Sequence, residues 1–125
     1  GEVMVYCDMI LQGAKPIADI MFRKEHVDMV RDIVLKTYGL DIRIDSSPGA
    51  GFLAGIIYRD PIHLAIHDIC GMYFDEKYPL HENGGPRIFI TYVMGKLFGY
   101  SDAVILGYIR KHFDPDKVID SLVLE

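Results

Sequence analysis

The sequence predicts a small α/β or α+β domain. Its centre is a three-stranded mixed sheet, with strands about 17–22, 40–45 and 52–58. Helices about 3–12, 24–38, 61–76, 86–98 and 102–113 cover that sheet. Three observations carry this reading. Lys24 to Tyr38 places apolar residues at helical spacing, Leu40-Asp-Ile-Arg-Ile-Asp45 alternates strictly, and Asp60-Pro61 and Ser101-Asp102 are helix starts.

Taken in order, Val3 to Leu11 is apolar except for Asp8, and Gly13 closes it as a helix. Lys15-Pro16 turns the chain into the strand Ile17 to Phe22. The stripe Val27, Val30, Ile33, Val34 and Tyr38 then defines an amphipathic helix that Gly39 ends. The strand 40–45 follows, and 17–22 and 40–45 would form a right-handed parallel crossover if adjacent. Ser46 to Gly51 is turn chemistry, so 40–45 and 52–58 form an antiparallel hairpin. Asp60 caps the next helix with Pro61 at its first position, burying Ile62, Ile66, Ile69 and Met72. Residues 77–85 form a loop, Pro86 opens a helix that Gly99 ends, and Asp114-Pro115 begins a short last one.

With 125 residues the chain is expected to be one domain, 1–125. Half its residues are apolar, enough for a core and for a subunit interface. The net charge of −5, with no basic run, argues against nucleic-acid binding. No apolar stretch is long enough to span a bilayer. Two cysteines do not make a disulfide scaffold, so a reduced, cytoplasmic protein is expected.

The chemistry-bearing residues fall into two groups. His63, His67 and Cys70 follow each other at spacings of four and three, which puts them on one helical stripe. Imidazole and thiolate are metal ligands, and zinc takes three or four. Cys70 lies about 10 Å along the axis from His63, so the better set is His63, His67 and His81, with Glu82 as base. The alternative is that the histidines flank the core stripe and Cys70 packs as a small hydrophobe. The second group is Tyr78 to Arg87. Gly84 and Gly85 let a ligand approach the backbone, and Arg87 adds charge at a helix start. A pocket built from Cys70, His81, Gly84, Gly85 and Arg87 competes with the metal set. Lys15, Lys96 and Tyr100 have no partner in sequence that marks them as catalytic.

Three patches, Gly13-Ala-Lys-Pro-Ile-Ala18, Tyr38-Gly-Leu-Asp-Ile42 and Gly95-Lys-Leu-Phe-Gly-Tyr100, together resemble an uncharacterised family of small prokaryotic, largely archaeal, domains. In that family's pattern Gly-Tyr is followed by Pro and a pair of cysteines. Here the run is Gly99-Tyr-Ser-Asp-Ala-Val104, so no metal or redox role carries over. The resemblance implies a compact mixed fold and no activity.

The expected function is therefore a domain that binds a small ligand or a partner and self-associates through its 86–113 helices. A metal-dependent, hydrolase-like enzyme using the histidine cluster, with a divalent ion such as zinc, is the alternative. An anion-binding regulatory module at Gly84 to Arg87 is a third.

Overall fold

The computed structural model describes residues 2–45, 49–72, 85–114 and 116. The chain divides into two compact units, Gly1–Leu64 and Ala65–Glu125.

The first unit opens with α1 (Glu2–Leu11) and β1 (Ile17–Arg23). The N–H of Gly13 bonds Ile10 O at 3.1 Å and that of Ala14 bonds Met9 O at 2.8 Å. This is a Schellman cap, and it needs the positive φ of 78° that Gly13 adopts. Next come a 3-10 turn (Lys24–His26), α2 (Val27–Asp32) and a π-helical turn (Ile33–Thr37). The sequence pattern reads this whole stretch as one regular helix. Its inward stripe is as expected, with Val30 and Val34 buried, but the last turn widens and Tyr38 N–H bonds Ile33 O at 3.2 Å.

β2 (Asp41–Asp45) and β3 (Phe52–Tyr58) complete the sheet, whose order is β1-β3-β2. Both pairings are antiparallel. The fold is thus α+β, one of the two classes expected; the sheet is antiparallel throughout rather than mixed, and β1 and β2 are not adjacent, so no parallel crossover forms. β3 enters between the two outer strands, and the hairpin reaches β1 from its other side.

One sheet face carries Ala18, Ile20 and Phe22 of β1, Leu53 and Ile57 of β3, and Ile42 and Ile44 of β2. These pack against Cys7 and Ile10 of α1 and against Val30, Val34 and Leu40. Ile57 is wholly buried. Gly55 lies on this face, where an added Cβ would meet Ile42 Cδ1 at 3.1 Å. The opposite face carries Asp19, Met21, Arg23, Asp41, Arg43 and Asp45, with Arg43 bonded to Asp45 at 2.9 Å.

α3 (Pro61–Met72) starts in the first unit and continues into the second, which also holds α4 (Gly85–Leu97) and α5 (Asp102–His112). Ile62, Ile69 and Met72 of α3 are exposed, whereas Cys70 is buried and His63, Ile66 and His67 are half-buried. The expected inward stripe is corrected accordingly: the imidazole–thiol stripe, not the Ile62–Ile69 stripe, is the less exposed one. α4 and α5 pack closely because Gly95 has no side chain; a Cβ there would lie 2.6 Å from Ile105 Cγ1. Ser101 caps α5, accepting from Val104 N–H at 3.3 Å. Asp102 accepts from Lys96 Nζ at 3.1 Å and from Tyr92 Oη at 3.0 Å. No described helix is long and apolar enough to cross a membrane.

Two measurements check this packing. Ile57→Ala should lower unfolding free energy by about 2–5 kcal/mol in denaturant titration, because it empties a sealed position. Ile62→Ala should change it by less than about 0.5 kcal/mol. The second measurement concerns Asp102. The hydrogen bond from Lys96, then that from Tyr92, holds its carboxyl below the usual range. Its contribution is therefore present above the unfolded carboxylate pKa of about 3.9 and is lost as pH falls through the lower folded value. The difference in melting temperature between the natural chain and Asp102→Asn should be present at neutral pH and close under strong acid.

Candidate functional site

The register of β1 on β3 places Ile17 opposite Tyr58. Continued one residue outward, it sets the turn Lys15-Pro16 beside Arg59-Asp60. α3 begins there, with the Asp60 carboxylate accepting from Ile62 N–H at 3.0 Å and the Asp60 carbonyl from His63 N–H at 3.0 Å. The result is a cleft of about 550 Å³, lined by Ile10, Lys15, Pro16, Arg59, Asp60 and His63. A cleft of this size suits a small molecule.

Charge in the cleft is uneven. Lys15 and Arg59 are cationic and Asp60 is anionic, so the local balance is positive on a chain whose net charge is −5. The Lys15 ammonium stands 4.6 Å from the centre of the Tyr6 ring, which steadies it through the ring's negative face. Asp60 is committed to capping α3. The first amides of that helix are thus already bonded, and the attraction for a negative group falls to the two cationic side chains. His63 lines the cleft as well, and its Nδ1 is buried with no hydrogen-bond partner among the described residues. Such atoms are scarce in folded proteins, because each costs its full desolvation.

The other residues singled out by sequence are dispersed. His67 belongs to the second unit, where its Nδ1 lies 3.2 Å from Asp68 Oδ1 and its ring meets Phe98 edge-on at 6.0 Å. Cys70 is 6% exposed on the third turn of α3. Gly85 and Arg87 lie in the first turn of α4, where the Arg87 carbonyl accepts from Thr91 Oγ1 at 2.8 Å. His81, Glu82 and Gly84 lie outside the described residues. Among the described residues no three His, Cys, Asp or Glu side chains gather where they could hold a metal ion. Lys96, unmarked in sequence, is the partner of Asp102.

Sequence reading passed over Lys15 and Arg59 because 44 positions separate them. The usable signal was the pairing of β1 with β3, which joins the turn before one strand to the turn after the other.

Neither thiol is poised for nucleophilic work. Burial, with the charge of Asp8 beside it, pushes Cys7 up to about 11, and burial raises Cys70 as well. Both cysteines should react with iodoacetamide at least about tenfold more slowly in the folded chain than in denaturant, as mass spectrometry of timed samples would show. Fast native labelling of Cys70 would contradict its packing.

Comparison of the chain with protein-family models, with curated proteins and with solved structures finds no match.

Proposed function

We propose that the chain is a binding domain for a small molecule bearing a carboxylate or phosphate group, and that Lys15 and Arg59 hold that group in the cleft at the start of α3. The observation that carries this reading is a single cleft lined by two cationic side chains, Lys15 and Arg59, together with His63, while the Asp60 carboxylate in the same lining caps α3. The half-buried imidazole of His63 lines the same cleft and can give or take a hydrogen bond at its accessible edge, according to its tautomer. Neither thiol lines the cleft, and burial raises both. The chemistry of the cleft is recognition by charge and one directed hydrogen bond.

The test is calorimetric titration with inorganic phosphate, acetate and a panel of phosphorylated and carboxylated metabolites. Saturable binding to at least one probe is expected, weakened about tenfold or more in both Lys15→Ala and Arg59→Ala. A saturating ligand at about 100 times its Kd should add about 2.7 kcal/mol of stability. Binding lost in Arg87→Ala but kept in Lys15→Ala would move the site to the start of α4. No saturable binding of any probe would refute the proposal.

A further inference from the structure

Self-association was expected through the α4–α5 helices, yet the strand at the sheet edge is better formed for it. Among the described residues β1 pairs with β3 alone, so its other side is a free edge. Lys24 N–H bonds Gly51 O at 3.0 Å, continuing the β1–β3 ladder. By the alternation of antiparallel pairing, the even-numbered residues of β1 direct their backbone groups to β3. Asp19, Met21 and Arg23 then turn their N–H and C=O groups outward. Natural edges are normally blunted by charge, proline or brevity. β2 is blunted in this way, with Asp41, Arg43 and Asp45 in five residues. β1 has seven residues, no proline, and Met21, 63% exposed, near its middle.

We infer that two copies of this chain join through their β1 strands, antiparallel, with the twofold axis at Met21. This deepens the self-association expected of the domain and is independent of the ligand cleft. In that register Met21 faces its own symmetry mate, and Asp19 of each copy stands opposite Arg23 of the other. The segment Asp19-Ile-Met-Phe-Arg23 is thus self-complementary, giving two cross-strand ion pairs around an apolar centre. Asp19 has no charge partner in its own chain among the described residues, and Arg23 has a long, exposed approach to Glu25 at 3.8 Å and a place over the Phe52 ring at 5.9 Å. A groove of about 510 Å³ opens beside this edge, with Met4, Met21, Met29 and Phe52 among its walls, and all four are exposed. A second copy would cover them. The same operation on β2, with its axis at Arg43, sets Asp41 against Asp45 and Arg43 against itself, which is repulsive throughout. The groove at Tyr100, Val104 and Tyr108 between α4 and α5 is apolar, but nothing in its charge selects an occupant.

Sedimentation velocity over a concentration series tests the inference. The natural chain should dimerise. Asp19→Arg should weaken the dimer about tenfold or more, since it turns two attractions into two repulsions, and added salt should shrink that difference. Asp19→Arg with Arg23→Asp should restore it, because the exchanged charges face each other again. Met21→Lys, which leaves the β1–β3 ladder intact, should also dissociate the dimer and serves if Asp19→Arg fails to fold. A natural chain that remains monomeric at every concentration would overturn the inference. So would a dimer indifferent to Asp19→Arg and Met21→Lys but lost in Tyr108→Ala.

Discussion

The insertion of β3 between β1 and β2 is the constraint on which the first unit depends. Among the described residues each outer strand has its ladder with β3 alone, so the backbone hydrogen bonds of the sheet pass through seven residues, Phe52–Tyr58. The same strand supplies Ile57, which is sealed beneath α1 and α2. A one-residue slip of β3 would carry Ile57 to the face that holds Asp19, Arg43 and Asp45, out of its contact with α1 and α2. It would also separate Lys15-Pro16 from Arg59-Asp60. Core and cleft are therefore two results of one register.

The local elements were largely legible in the sequence, because their signals are local. Asp60 and Ser101 cap the helices they precede, Gly13 closes α1, and the alternation of Leu40 to Asp45 marks a half-buried strand. Strand order was not legible. A helix between two strands suggests a parallel neighbour, and only the competition among three strands decides that β3 takes the place beside β1. The π-helical turn at Ile33–Thr37 was equally hidden, since its inward residues keep the spacing an α-helix would show.

α3 shows why hydrophobicity alone misassigns a face. Both of its stripes contain residues that can be buried, and the imidazoles have apolar ring carbons as well as polar atoms. His67 meets Phe98 edge-on and turns its Nδ1 toward Asp68, while Cys70 is buried one turn on. The spacing of His63, His67 and Cys70 was read correctly as one stripe. What the spacing could not contain was what each imidazole meets: His63 shares a cleft with Lys15, and His67 meets Phe98, both far away in sequence.

Gly55 has a consequence for how the sheet tolerates change. Strand interiors disfavour glycine, yet here Ile42 leans across the place where a side chain would project, within 3.1 Å. Any larger residue at this position must move a neighbour that is itself wedged into the apolar layer. By contrast, nothing lies within 4 Å of the corresponding point at Gly49, outside the strand. Substitution should therefore be permissive at Gly49 but restrictive at the middle of the sheet and at Gly51, whose φ of 82° disfavours a side chain. Variation in such a chain would concentrate around the sheet's rim, while its centre stayed closed to it.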